Sequence, residues 1–206
     1  MFFRIPTEAS PVFDCKHTFE QPESGKISLF MVAFRLDIMA FKYTSDVFQI
    51  SASIRETAPN TVSTQTINLN LDSLSREILV IQYVDMDLSS PELINGLKCQ
   101  IDASLNDANV GVVGLANSQA IAVANNTILT EAGGGAAVAF SNSEPRFAQS
   151  DSDTPLFVSA TDDLFLSVLG TNNVGALGLA QVRIFARRAR ADADTYAAIL
   201  TSQFNS

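Results

Sequence analysis

The chain has 206 residues, of which 47% are hydrophobic and only 17% are charged, whereas roughly a quarter of the residues in an average soluble domain are charged. So few charges indicate a surface covered by neutral polar side chains, or one that is partly buried against partners. The formal net charge of −9 opposes contact with a phosphate backbone, so we do not expect nucleic acid as a partner.

The N-terminal stretch, residues 1–24, contains three prolines and no clear hydrophobic period, so we predict an extended arm. Its first residues, MFFRIPTEASP, lack a basic segment followed by an apolar one. We therefore expect no signal peptide and synthesis in the cytoplasm. Residues 26–43 follow as a run that is apolar on both alternating faces, which predicts a strand covered on both sides.

Strands are then predicted by period-two alternation over residues 46–57, 61–74 and 76–90. The segment SSPELINGLKC combines serines, a proline and Gly96 in positions typical of one or two helical turns. From residue 107 onward, short apolar segments recur between turn-forming clusters of Asn, Gly, Ser and Asp. Many short strands separated in this way predict an all-β fold, an antiparallel β-sandwich of the jelly-roll type.

The predicted organisation is an N-terminal arm over residues 1–24, a β-sandwich domain over residues 25–190 and a C-terminal tail over residues 191–206. In the tail, Asp192 or Asp194 is positioned to cap a short helix. The apolar stripe of that helix consists of Tyr196, Ile199, Leu200 and Phe204. Such a stripe docks either on its own domain or on a neighbouring molecule.

Residues with catalytic chemistry are few. His17 is the only histidine, so any nucleophile–base pair has to use it, and Cys15 is a nucleophile on the same predicted strand face. Cys15 and Cys99 are either buried free thiols or one disulfide, and neither belongs to a zinc-binding motif. The glycines at 133–135 are not followed by the lysine of a phosphate-binding loop. We therefore expect no enzyme, no metal and no cofactor.

Asp85 and Asp87 are paired carboxylates on one predicted strand. Alternation puts both on the same face, where they bind a hard cation if carbonyl oxygens assist, or stay solvated. Their spacing is not that of a calcium-binding EF-hand loop, so the solvated interpretation is the default.

A basic cluster lies near the C-terminus, in the stretch LSVLGTNNVGALGLAQVRIFARRAR. Its arginines are Arg183, Arg187, Arg188 and Arg190. Arg183 alternates with Val182 and Ile184, which places it on the solvent or partner face of a strand, and Arg187 and Arg188 are expected where that strand ends. On an acidic protein these cations suit contact with acidic patches on copies of itself or on another subunit. The alternatives are an ordinary solvated strand end and a nucleic-acid arm.

Three segments of the chain resemble small virion structural proteins of tailed bacteriophages, especially marine ones. They are REILVIQYVDMDLSSPELINGL, then DDLFLSVLGTNN after a middle rich in Gly, Ala and Asn, and the final VRIFARR. In that family pattern a strand–turn–strand near the C-terminus completes a β-sandwich on the particle surface. The resemblance implies a capsid cement or decoration protein located in the virion, present in many copies and acting through binding alone.

The resemblance brings no catalytic residues. The expected partners are the major capsid protein or other virion subunits, together with further copies of the chain. Affinity is expected from the arginines and from apolar anchors at the termini, namely Phe2, Phe3, Phe13 and Phe204. The alternatives are another particle component, such as a single-jelly-roll capsid subunit or a tail or fibre protein, and a carbohydrate-binding β-sandwich. The last is disfavoured by the absence of Trp and the presence of only three Tyr, which leave few aromatic platforms.

Overall fold

The computed structural model describes residues 41–131, 138–143 and 154–204, all of which belong to the structural unit Met39–Ser206. The predicted arm, the first part of the predicted sandwich domain, and the residues Cys15 and His17 lie outside the described residues. The strands described are β1 Phe41–Tyr43, β2 Phe48–Arg55, β3 Ser63–Asn68, β4 Glu77–Leu88, β5 Lys98–Asn106, β6 Ala120–Thr130, β7 Val138–Ser143, β8 Phe157–Ser159, β9 Asp163–Thr171 and β10 Leu179–Ala191. A 3-10 helix spans Ser73–Ser75, and the α-helix α1 spans Ala193–Phe204.

The strands form two antiparallel sheets. Sheet A has the order β1-β10-β4-β8, and β2 pairs with the same edge of β10 as β1 does. Sheet B has the order β3-β9-β5-β6-β7. The predicted all-β antiparallel sandwich is thus confirmed.

The strand order is that of a jelly roll. Four antiparallel pairs, β2 with β10, β3 with β9, β4 with β8, and β5 with β6, make one long ribbon of the chain folded back on itself. Successive pairs of the ribbon lie alternately in sheet A and in sheet B, which is how a ribbon winds into an eight-stranded double sheet. Strand β7 adds a fifth strand at the edge of sheet B.

The main core lies between the two sheets. Sheet A supplies residues such as Leu79, Ile81 and Val84, and sheet B supplies residues such as Ile101 and Leu164, all buried. On β2 the inward residues are the ones that alternation predicts, Phe48, Ile50, Ala52 and Ile54. The strands form here because their apolar residues recur at every second position and one face of each sheet is removed from water.

A second apolar cluster lies on the opposite, outer face of sheet A. Ile78 and Val80 alternate with the core residues of β4 and therefore point outward, where α1 covers them together with Ala189 and Ala191. The helix contributes Tyr196, Ile199 and Leu200, and burial raises the pKa of the Tyr196 hydroxyl. The predicted stripe therefore docks on its own domain.

The start of α1 is fixed by Asp192. Its carboxylate accepts the backbone N–H of Thr195 at 2.7 Å, as an N-cap does, and this bond holds the pKa of Asp192 below its ordinary range. Of the two residues predicted to cap the helix, Asp192 is the one that does so. No helix among the described residues is long and apolar enough to cross a membrane.

Two local predictions are wrong. Residues 89–97 form no helix: the chain stays irregular and turns at Gly96, which has a φ of 76°. The reason is tertiary, because the N–H of Glu92 donates to the side-chain oxygen of Asn173 at 2.7 Å instead of entering a helix. Strand β10 also continues past Arg187 and Arg188, to Ala191.

Candidate partner-binding surface

The four arginines of the predicted cluster differ in solvent exposure according to their positions on β10. Arg183 and Arg190 are exposed, whereas Arg187 and Arg188 are half-buried. The two half-buried arginines have partners within the chain, so the cluster is not one uniform basic patch.

Arg188 ties three parts of the chain together. Its guanidinium forms an ion pair with Glu77 at 2.9 Å and donates to the carbonyl oxygens of Leu69 at 3.1 Å and Asn70 at 3.3 Å. Its backbone N–H donates to the Ser45 hydroxyl at 2.8 Å, in the connection between β1 and β2. Since these donors are used internally, the geometry favours a structural role for Arg188 over partner contact.

Arg187 packs against an aromatic ring. Its guanidinium carbon lies 5.1 Å from the centre of the Tyr43 ring, a distance at which the cation is attracted to the π-face. Its buried Nε has no hydrogen-bond partner among the described residues. Arg183 and Arg190 are thus the arginines of the cluster whose charged groups are most available to a partner.

Of the four apolar anchors predicted at the termini, only Phe204 belongs to the described residues. Phe2, Phe3 and Phe13 lie outside the described residues, and their predicted role stays a prediction. Phe204 is the last residue of α1.

Arg183 lies in a groove on the outer face of sheet A, beside the area covered by α1. The groove has a volume of about 670 Å³ and is lined by β2, β10 and β4. The strand register arranges its outward residues in rows: Ser51, Arg183 and Asp85 form one, and Ser53, Gln181 and Asp87 form the next.

An aromatic pair continues this arrangement. Phe185 is opposite Gln49 on β2 and Tyr83 on β4. The rings of Tyr83 and Phe185 are 5.7 Å apart and tilted by 46°. The amide of Gln49 donates to the Ser51 hydroxyl at 2.8 Å. The face is therefore polar and charged in two rows and aromatic in the third.

The charges of the groove are unpaired. Arg183, Asp85 and Asp87 form no ion pair with any described residue. Over the described ranges, no group of three His, Cys, Asp or Glu side chains is arranged to hold a metal ion. Of the two carboxylates that share a strand face in the sequence, Asp85 lies opposite Arg183 on the neighbouring strand and Asp87 lies opposite Gln181.

The glycine-rich loop between β9 and β10 surrounds a carboxylate of the protein itself. Glu56, only 2% exposed, accepts the backbone N–H groups of Gly170 and Gly178, each at 2.6 Å. A Cβ atom at Gly170 would lie 2.7 Å from a Glu56 oxygen, so the close approach requires glycine. Backbone N–H groups at the two ends of this loop thus bind the side-chain carboxylate of Glu56.

The carboxylate of Glu92 also binds this loop. Glu92 accepts the N–H of Gly175 at 2.6 Å, and the fully buried Asn173 accepts the N–H of Glu92. The side-chain NH₂ of Asn173 donates to the carbonyl of Ala176, and its backbone N–H donates to the Asn60 side chain at 3.2 Å. The loop is therefore held rigid by internal bonds.

Among the described residues, strand β7 is the last strand at one edge of sheet B. All six of its residues are exposed, and Phe140 is 72% exposed. The exposed residues of β7 lie on both faces of the strand. The strand VAFSNS also contains no charge and no proline, the usual protections of a sheet edge.

The sequence interpretation missed Glu56, Glu92 and Tyr83 as residues of interest. The two glutamates carry no local signal of burial, because their partners lie 114 and 83 residues away in the chain. An isolated glutamate beside an apolar strand, together with glycines spaced through a distant loop, was the only available hint. Cys99 is a buried free thiol whose sulfur donates to the carbonyl of Asn172 at 3.2 Å.

No protein-family model matches the chain, and no curated protein matches it in sequence.

Proposed function

We propose that the chain is a non-enzymatic structural protein of a bacteriophage particle. Its role is that of a capsid cement or decoration protein, which stabilises the shell through many protein–protein contacts. It is made in the host cytoplasm and becomes part of the virion. Its partners are the major capsid protein or other virion subunits, together with further copies of itself.

The observation that carries this proposal is the exposed, uncharged edge strand β7. Proteins that stay monomeric usually protect a sheet edge with charges or prolines, because an unprotected edge readily pairs with another chain. Here Phe140 and Val138 are exposed, and no residue of β7 is charged. Such an edge is suited to contact with a neighbouring subunit, by strand pairing or by burial of Phe140.

The jelly-roll topology supports the same class of function. Double-sheet jelly rolls are the fold of many viral capsid domains, although lectin domains and cupins share it. The fold alone does not define a function, so its weight comes from agreement with the low charge content and the exposed edge. Repetition of weak contacts on a lattice multiplies their strength.

A single-jelly-roll capsid subunit is the second candidate, because the eight-strand ribbon is complete within this chain. The two candidates differ in what the protein does alone. A capsid subunit assembles closed shells by itself, whereas a decoration protein binds to shells made by another protein.

The test is to purify the full chain, measure its mass by light scattering and image it by electron microscopy. The chain is then mixed with shells made from the major capsid protein of the same genome. Binding to preformed shells supports the decoration role, and closed shells of the chain alone support the capsid subunit. Phe140→Lys should weaken either assembly, whereas Ala198→Lys, which adds the same charge on the exposed side of α1, should not. A chain that stays monomeric, does not bind shells and is missing from purified particles by mass spectrometry contradicts both.

A further inference from the structure

The groove on the outer face of sheet A has the size of a ligand site. Its volume of about 670 Å³ falls within the range of roughly 300–1,000 Å³ that small-molecule sites occupy. Its walls are strands of a sheet that is fixed by the core beneath, since Val182 and Met86 between the groove residues are buried. The floor of the groove is therefore fixed, and its side chains stand on one open face of the sheet.

The charges of the groove exclude several ligand classes. Asp85 and Asp87 repel phosphate and other anions, and Arg183 opposes the close approach of a free cation, so neither kind of simple ion meets only opposite charges in the groove. A purely apolar ligand would strip water from all three charged groups without replacing their hydrogen bonds, which is unfavourable. The mixed charges therefore favour a ligand rich in both donors and acceptors, and an uncharged ligand meets no repulsion from either sign.

The side chains of the groove match such a ligand in hydrogen-bonding capacity. The carboxylates only accept, the guanidinium only donates, and the amide and hydroxyls do both. Adjacent hydroxyl groups of a sugar ring can each donate and accept, so they can satisfy all of these groups at once. The residues concerned are Ser51, Ser53, Asp85, Asp87, Gln181 and Arg183.

The aromatic row provides the remaining element. Tyr83 and Phe185 lie half-buried at the end of the rows, and an aromatic side chain presents a broad apolar face to a ligand. The C–H face of a sugar ring is the apolar counterpart of its hydroxyl edge. One of the three tyrosines of the chain thus lies beside the polar groove, where an aromatic platform is useful.

We propose that this groove is a binding site for a neutral oligosaccharide. The hydroxyls of the sugar bond to Asp85, Asp87 and Arg183, and one ring of the glycan packs against Tyr83. The site is separate from edge strand β7 and does not depend on the proposed particle role. It gives the protein affinity for a neutral glycan on a surface that it meets.

The first test is binding of the purified, labelled protein to an array of neutral, sialylated and sulfated glycans. Neutral hits are then titrated against the wild-type protein. The chain has no Trp, so tyrosine emission reports a sugar that packs on Tyr83. We expect saturable binding to one class of neutral glycan and a change in emission that the variant Tyr83→Phe lacks.

Matched variants locate the site. Arg183→Gln and Asp87→Asn should each weaken binding about tenfold or more, because each removes a charge-assisted hydrogen bond. Asp46→Asn makes the same chemical change at an exposed carboxylate outside the groove and should leave binding unchanged. All of these side chains are exposed, so folding is expected to be retained and is checked by circular dichroism.

The proposal is overturned if no neutral glycan binds, if only charged glycans bind, or if the groove variants bind as the wild type does. Shell binding by the same variants is measured separately. Loss of glycan binding with shell binding intact places glycan binding in the groove and leaves the particle role untouched. Loss of shell binding with glycan binding intact overturns the glycan site and assigns the groove to contact with the shell.

Discussion

Glu56 and Gly178 are joined by two hydrogen bonds. The N–H of Gly178 donates to the Glu56 carboxylate at 2.6 Å, and the N–H of Glu56 donates to the Gly178 carbonyl at 2.9 Å. Because the same carboxylate also accepts from Gly170 on β9, Glu56 connects the end of β2 in sheet A with sheet B. A buried acceptor holds the two layers of the jelly roll together at one end.

Removal of this carboxylate should be among the most damaging single changes. Glu56→Ala leaves two buried N–H groups without an acceptor, which should lower the free energy of unfolding by about 3 kcal/mol or more. Glu56→Gln, whose amide keeps one acceptor oxygen, should lower it by less. Urea unfolding followed by circular dichroism measures both, with the exposed Glu131→Ala as control. Equal stability of Glu56→Ala and the control would contradict the assigned role.

Gly170 on β9 and Gly114 in the connection between β5 and β6 should differ in their tolerance of alanine. At Gly170 a Cβ atom would lie 2.7 Å from a Glu56 oxygen that cannot move without breaking its bonds. Gly170→Ala should therefore cost about 1–3 kcal/mol. At Gly114 nothing lies within 4 Å of a Cβ atom, so Gly114→Ala should be neutral or slightly stabilising. Thermal unfolding of the two variants measures the difference, and a similar loss in both would refute it.

Substitutions of Arg188 and Arg183 should differ in their effect on the free energy of unfolding. Arg188→Met removes the ion pair with Glu77 and two bonds to carbonyls, which should cost about 1–2 kcal/mol since the site is only partly buried. Arg183→Met removes a charge with no partner among the described residues and should change stability by less than about 0.5 kcal/mol. The measurement is urea unfolding of both variants. If Arg188→Met is as stable as the wild type but assembles poorly, Arg188 is a partner contact after all.

Asp107 should make stability depend on pH. It is 8% exposed, and one of its carboxylate oxygens has no hydrogen-bond partner among the described residues. Burial therefore raises its pKa above the ordinary value of 3.8. Below that value the carboxyl is protonated in both states and has no penalty; as the pH rises through the raised pKa of the folded state, stability is lost.

Asp107→Asn should remove that loss. The variant should be more stable than the wild type at pH 7, by on the order of 1 kcal/mol, and the difference should vanish below pH 4. Thermal unfolding across this pH range measures it. The exposed Asp46→Asn is the matched control and should show no such trend. A difference that is constant with pH would assign the effect to packing instead of ionisation.

Local patterns predicted much of the fold. The alternation on β2 placed Phe48, Ile50, Ala52 and Ile54 in the core, and the stripe of α1 placed Ile199 and Leu200 against the sheet. The same kind of reasoning was wrong for residues 89–97, where serine, proline and glycine resemble helix-capping signals. There the N–H of Glu92 has a partner 81 residues away, and no local rule includes such a bond.

The candidate sites were predictable only in part. Arg183 was expected on an outward face, and Asp85 and Asp87 on one face of their strand, and the structure bears out these placements. That the three belong to one groove follows from the pairing of β10 with β4. The division of the arginine cluster into internal and available members likewise depends on loops that approach β10 from elsewhere in the chain.

The sequence by itself determined the all-β class, the inward face of β2 and the apolar stripe of the C-terminal helix. These properties follow from side-chain periodicity along the chain, which the backbone geometry of strands and helices imposes locally. Only the tertiary structure decided that the glycine-rich loop encloses Glu56 and that Arg183 lies between Ser51 and Asp85. The physical reason is that strand pairing and burial are set by the closure of the whole ribbon around its core, and contacts more than a hundred residues apart leave no local pattern.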